Sequence, residues 1–496
     1  MSKIEPLGGL DALFLHIETE QMPMHVGSMH LYDVPPRQRR GYLARVRKSL
    51  SRRLHLSPVF TRRLVQTPLH LTNPLWIREP AIDIGYHVRG VELPAPGTRE
   101  QFEDCVADLH SRLMDRGRPL WEVYVIQGLA DGSTGVYCKV HHAAIDGKAG
   151  VVLARAMLDL EPDPPPVPQP ADRPSESEPG GTTLLKAALA SQARLSARLL
   201  KLVPGLLKAG SHAATDAIGS RLQSLVGGAT RRRRRDGLPV FAPRTPLNGS
   251  IDSERAIAGA SATLADLKRI CAALGGTVND AVLAICSGGL RRYLDERGAL
   301  PARSLLAAIP ISLRAEGDES LNTQATMLRA SLATDVEDAR ERYDTIRASS
   351  QSMKDAAAST RSVIPTDFPS LGMPWLLPGL AALYERAHVA DRLDPVVNLI
   401  ISNVPGPQVP LYMSGARMLT YYPLSIVTHG FALNVTVESY DGTLYFGLVA
   451  CRRALPDLRS LARHLEDARD ELLALAAPPP AKKPAKKPAN KKRVHP

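Results

Sequence analysis

The chain of 496 residues has five cysteines, Cys105, Cys138, Cys271, Cys286 and Cys451, and none of them stand in a CxxC pair. An odd number without metal-ligand spacing gives no basis for a disulfide framework or a zinc site, and it fits a reducing cytoplasm. No run approaches the roughly 18 uninterrupted apolar residues of a membrane-spanning helix. The most apolar window, 371–383, is shorter than that and carries Pro374 and Pro378. The opening residues, MSKIEPLGG, lack the apolar core of a signal peptide, so the expected location is cytoplasmic. There is no GxSxG elbow, the usual seat of a nucleophilic serine, and no internal repeat.

Apolar content of 44% and charged content of 23% are those of a globular protein, and the length calls for two domains. The net charge of +12 is concentrated. Seven lysines and arginines lie in the tail from Ala481, and Arg231 to Arg235 add five, so these two segments account for the whole excess. The rest of the chain is expected to be balanced. No nucleic-acid-binding motif or interleaved aromatics accompany the basic runs, so nucleic acid is not an expected partner.

The most informative residues are His141-His142-Ala143-Ala144-Ile145-Asp146-Gly147, an HHxxxDG motif. The preceding segment, Gly135 to Val140, reads as a buried strand, and the run Val151 to Leu160 that follows is apolar. This places a histidine at a strand end, where its imidazole can face a cleft. A carboxylate follows four residues on, beside a glycine suited to a sharp turn. A base of near-neutral pKa in such a place can take a proton from a hydroxyl.

Gln101 to Met114 reads as an amphipathic helix, and Trp121 to Gln127 and Gly135 to His142 as a hairpin turning at Asp131-Gly132. The four expected parts are an N-terminal domain at 1–160, a linker at 161–250, a C-terminal domain at 251–475 and a disordered Lys/Pro tail at 476–496. Within the linker, 182–230 reads as a cationic amphipathic helix. Arg194, Arg198, Lys201 and Lys208 share one arc, and Leu185, Leu189, Leu195, Leu199, Leu202 and Leu206 lie on the other side. It either lies on an anionic membrane surface, with Arg231 to Arg235 adding attraction, or packs on the body with its basic face in water. In the second domain, Leu264–Leu274 and Val278–Leu294 read as helices, and Ser304–Ile311 and Val396–Ser402 as strands. A hairpin, Phe431–Ser439 and Thr443–Cys451, turns at Asp441-Gly442, and a helix closes the domain at Leu458–Leu475.

These blocks resemble the bacterial bifunctional wax ester synthase/diacylglycerol acyltransferases, within the chloramphenicol acetyltransferase-like superfamily. The resemblance runs from about residue 6 to 475. It rests on LDALFLHIETEQMPMHVG, Pro119-Leu120-Trp121, KVHHAAIDG, TVNDAVLA, AAIPISLR, NLIISNVPGP and YYPLSIVTHGFALNVTVESYDGTLYFG. HHxxxDG by itself marks the wider superfamily, condensation domains included; the other blocks narrow it.

The resemblance implies an α/β fold of two similar domains, each a mixed β-sheet with helices, with an active-site channel between them. It implies acyl-CoA as donor and a diacylglycerol or long-chain alcohol as acceptor, with no metal or bound cofactor. His142 is then the general base and His141 supports it. Asp146 is structural, pairing with Arg314 at a strand end, and Gly147 provides the backbone geometry. Asn279, at the head of a helix, is either an oxyanion donor or an N-cap. Ser402 and Asn403 either line the domain junction or form a structural turn. Trp121 is core or channel wall. Trp375, with Leu376, Leu377 and Leu380, lines an acyl tunnel or belongs to the core. The expected surroundings are the inner membrane face or lipid inclusions, held peripherally. The competing expectations are a condensation-type or polyketide-associated enzyme taking a carrier-bound donor, and a non-catalytic lipid-surface protein. A basic docking patch on the folded body would favour the former, an altered motif the latter.

Overall fold

The structure is a computed structural model that describes residues 5–66, 73–145, 147–169, 180–183, 186, 190, 239, 241–312, 325–360 and 376–477. Outside the described residues lie most of the 182–230 segment, Arg231 to Arg235, the tail beyond 477, and the positions Asp146, Arg314 and Trp375.

The fold is α/β, built on two mixed sheets. The motif strand, Thr134–His141, lies inside a seven-stranded sheet, between His25–Asp33 and Trp121–Gln127. Both pairings are antiparallel, with His25 opposite His141 and Trp121 opposite Val140. Trp121–Gln127 is buried in all but its last residue, and its one early charge, Glu122, pairs with the buried Lys139 at 3.1 Å. Lys139 also donates to the carbonyls of Leu109 and Arg112, at the end of the Arg99–Ser111 helix. That helix starts two residues before the expected one because Thr98 and Gln101 form a capping box. Its Phe102 ring packs against the sheet where residue 135 is glycine. A Cβ there would stand 2.4 Å from the ring, so the helix can approach only a bare backbone.

The second sheet has six strands, in the order Ala325–Ser331, Leu306–Ser312, Leu399–Val404, Leu433–Tyr440, Thr443–Cys451 and Arg255–Thr263. Leu399–Val404 runs parallel to both neighbours, and the other pairings are antiparallel. The expected hairpin is present, with both turn residues, Asp441 and Gly442, at positive φ as a two-residue turn requires. Helix Val278–Asp295 is buried along most of its length and packs against Leu458–Leu475. Among the described residues, no single helix is long and apolar enough to cross a membrane.

The two sheets do not divide the chain at one point. Tyr412–Met413, Ala416–Met418 and Tyr422–Leu424 leave the second half and join the edge of His25–Asp33. The span 251–475, expected as one domain, therefore lends three strands to the other sheet. Tyr422–Leu424 then presses edge-on against the six-stranded sheet where two of its residues are glycine. A Cβ on Gly447 would fall 1.6 Å from the Pro423 carbonyl oxygen, and one on Gly259 would fall 2.5 Å from the Tyr422 ring. An ionic seam flanks this contact. Arg459, from the last helix, reaches Glu103 at 3.1 Å and Asp104 at 2.8 Å, and Arg99 pairs with Glu103 while lying over the Tyr422 ring.

Gly447→Ala must displace backbone, which cannot swing aside like a side chain. We expect it to cost at least about 2 kcal/mol in denaturant unfolding. Gly379→Ala, in helix Leu376–Arg386 with nothing within 4 Å of the added carbon, should gain about 0.5–1 kcal/mol.

Candidate active site

The motif strand ends at His141, and a single 3-10 turn, His142–Ala144, carries the chain into helix Gly147–Met157. His141 is buried. Its Nδ1 accepts from the Ala143 amide at 3.0 Å, which puts the proton of the neutral ring on Nε2. Nε2 stands 3.2 Å from Glu18 Oε1, within ion-pair range but off the line of a straight hydrogen bond. Glu18 is itself buried and heavily engaged. Oε1 accepts from the Met24 amide at 2.9 Å, and Oε2 accepts from Arg116 Nε and Nη2 at 3.0 and 2.7 Å. Burial alone would raise this carboxyl; His141, the Met24 amide and Arg116 together outweigh it and hold the group at about 2. Glu18 is an anion at any working pH and fixes the ring of His141.

His142 is held differently. Its amide donates to the Met24 carbonyl at 2.8 Å, and its ring stacks on Phe14 with centroids 3.9 Å apart and planes 18° apart. Nδ1 is buried and has no hydrogen-bond partner among the described residues, which leaves Nε2 as the nitrogen facing open space. Burial, assisted by the neighbouring His141, lowers the imidazole to about 4. The ring is therefore neutral at physiological pH, with its lone pair free to act as a base. Beneath the turn, Leu120 and Ala143 belong to one apolar cluster with Leu7, Ala12, Leu15 and Trp76. The Leu120 carbonyl also accepts from the His141 amide at 3.0 Å. In this way the Pro-Leu-Trp segment braces the motif from below.

The other expected site residues fall in different places. Trp121 is core and no channel wall: it is fully buried, stacks on His87 at 4.3 Å and donates its indole N–H to the Phe60 carbonyl. Asn279 is not an N-cap. Thr277 holds that position and shares a capping box with Asp280, leaving Asn279 at the second helical residue. Its side-chain oxygen lies 3.4 Å from Asn403 Nδ2, on strand Leu399–Val404, with Ser402 half-buried beside it. Asn279 and Asn403 are thus brought together, but neither contacts His141 or His142 among the described interactions. Gly147 begins the helix after the motif. Asp146, its expected partner Arg314, and Trp375 lie outside the described residues.

The sequence reading missed Phe14, Glu18 and Arg116. All three lie in or near quoted blocks, but nothing in local spacing links residue 18 to residue 141. Histidine titration followed by NMR should place the His142 midpoint near pH 4, against about 6.5 for a solvated imidazole. A midpoint above 6 would mean that the ring is hydrated and not held as described.

Residues 7–282 match the wax ester synthase/diacylglycerol acyltransferase catalytic domain, and residues 322–473 match the C-terminal domain of the same proteins. A putative diacylglycerol O-acyltransferase of Mycobacterium tuberculosis is 36% identical over 465 residues, covering 93% of this chain and 98% of that protein. The O-acyltransferase WSD of Acinetobacter baylyi is 32% identical over 483 residues, covering 94% and 96%. Among solved structures, the wax ester synthase/diacylglycerol acyltransferase of Marinobacter aquaeolei VT8 superposes with a TM-score of 0.66 at 32% identity, over 95% of this chain and 99% of that one. The first condensation domain of the calcium-dependent antibiotic synthetase shares the fold, with a TM-score of 0.54 at 13% identity over 96% and 97%. The chain belongs to the wax ester synthase/diacylglycerol acyltransferase family of O-acyltransferases.

Proposed function

We propose that this chain transfers a fatty acyl group from acyl-CoA to the hydroxyl of a diacylglycerol or a long-chain alcohol, with His142 as general base. The observation that carries the base assignment is a neutral imidazole fixed by Phe14 and Met24, with one nitrogen open. In the reaction, Nε2 takes the hydroxyl proton as that oxygen attacks the thioester carbonyl. The tetrahedral intermediate collapses and expels CoA thiolate, and the imidazolium returns the proton to the sulfur. An imidazolium as acidic as this one gives up its proton readily. The thioester is already activated, so the transfer needs no metal, prosthetic group or covalent intermediate on the protein. Glu18 and Arg116 act through His141 by holding the turn in place. Asn279 and Asn403 lie away from the motif's contacts and support the second domain's side of the site. Such an enzyme works on water-insoluble substrates, and we place it in the cytoplasm, held peripherally at the inner membrane face or on lipid inclusions.

Release of CoA from palmitoyl-CoA, with hexadecanol or dipalmitoylglycerol as acceptor, tests the reading. Wild type should show acceptor-dependent release. His142→Ala should fold normally and lose about 10² to 10⁴ in rate, and a mutant keeping more than a tenth of the activity would sink the base assignment. Glu18→Gln should keep KM near the wild-type value and lower kcat about tenfold to a hundredfold, as expected of a positioning residue. A normal kcat would show that the turn holds without the carboxylate.

A further inference from the structure

The chain is balanced once its two basic runs are set aside, yet that balance is not local. Between Val34 and Arg78 there are eleven lysines and arginines and no aspartate or glutamate. Among them, Arg53 is neutralised from elsewhere by Asp159 at 2.6 Å and Arg63 by Glu79 at 2.7 Å. Arg37, Arg40, Lys48 and Arg52 are exposed, and no ion pair or side-chain hydrogen bond holds them among the described residues.

These four lie on one stretch of surface. Helix Tyr42–Ser51 buries Tyr42, Val46 and Leu50, so residues 44, 48 and 52 form the opposite, outward row at helical spacing. Arg37 and Arg40 sit in the turn that leads into it. The surface also carries exposed apolar side chains. Leu56, next after this row, is 39% exposed; Val152, on the helix packed against turn Leu54–Leu56, is 37% exposed; Leu160, beside the Arg53–Asp159 pair, is 71% exposed. Arg155, one turn on from Val152, is exposed too. Gln169 donates to the Arg52 carbonyl, so the linker that leads to Arg231 to Arg235 leaves from this face. Glu161 and Asp163, both exposed, follow Leu160 in the chain.

We propose that this face, built on helix Tyr42–Ser51 with Leu56, Val152 and Leu160, docks the protein on a bilayer of anionic phospholipid. The inference rests on the peripheral location proposed above and names the surface and the headgroup charge. Unpaired cations beside exposed leucine and valine form the combination that binds such an interface: headgroup phosphates answer the charges, and the apolar side chains enter the acyl boundary. Val152 and Arg155 belong to the helix that begins at the motif's glycine, so docking here brings the site close to the lipid that supplies an acceptor.

The full chain should co-sediment with phosphatidylcholine vesicles containing phosphatidylglycerol and much less with phosphatidylcholine alone. Binding should weaken as salt rises from about 0.15 to 1 M, where screening shortens from roughly 8 to 3 Å. Replacing Arg37→Gln, Arg40→Gln, Lys48→Gln and Arg52→Gln together should weaken partitioning at least about tenfold. Leu56→Ser with Leu160→Ser should weaken it as well, in a way that low salt does not restore. Both variants should keep wild-type transfer on detergent-dispersed substrate, which shows that they are folded. If the wild type lacks that transfer, the acyltransfer reading fails and the docking result still stands or falls by sedimentation. Wild-type partitioning by both variants, or equal binding to neutral vesicles, overturns the proposal. So does a four-residue variant that keeps vesicle binding but loses transfer from an acyl carrier protein, since the face would then serve a carrier.

Discussion

A contact of three residues, seated between both sheets, fixes the register of the two halves of this protein at its centre. Tyr422–Leu424 is hydrogen-bonded along the edge of one sheet and seated on bare backbone of the other. Because strand pairing fixes its position on the first side and glycine contact fixes it on the second, the sheets cannot slide without breaking one or the other. The buried Glu103 beside this contact is held between Arg99 and Arg459, one from each half of the chain; burial still raises its carboxyl, and the two cations offset only part of that. A carboxylate in such a place is costly unless paired, so the seam is also sensitive to its partners. The relative placement of the motif and the second sheet rests on this contact together with the ionic seam and the packing of helix Arg99–Ser111 on strand Arg255–Thr263.

The motif itself divides its two histidines by environment. His141 is tied to a carboxylate that an arginine and a backbone amide keep ionised, so its ring has a fixed tautomer and a fixed tilt. His142, one residue on, has no polar partner on its buried side among the described residues and rests on an aromatic face. In the mechanism proposed above, adjacent residues of the same type thus serve as support and as reagent. Desolvation makes the second ring a weaker base at equilibrium but keeps it unprotonated, the form that can accept a proton.

Local pattern made much of this legible. The motif strand, the hairpin at Asp441-Gly442 and the helices at 264–274, 278–295 and 458–475 carry their own periodicity and turn residues, and they stand within a residue or two of where they were expected. What escaped depends on distance along the chain. Tyr422–Leu424 is too short to show alternation and becomes a strand only because His25–Asp33 offers an edge. Glu18 means little until residue 141 is beside it. Thr277 was legible as a cap, since Thr-x-x-Asp before an apolar run is a capping signal, and the alternative that made Asn279 the cap overlooked it. Trp121 sits in a strand buried on both faces, where alternation carries no message about a channel. The cationic face was hidden by arithmetic, because acids elsewhere cancelled it in the total.

The stacking of His142 on Phe14 has a kinetic corollary. One face of the imidazole is covered and Nδ1 is enclosed, so in the proposed mechanism a single ring atom both collects the proton from the attacking alcohol and delivers it to the departing sulfur. Because the proposed transfer uses no nucleophile of the protein to hold the acyl group, donor and acceptor must occupy the site together. Turnover of this enzyme should therefore proceed through a ternary complex, with no stage at which an acylated protein waits for its second substrate.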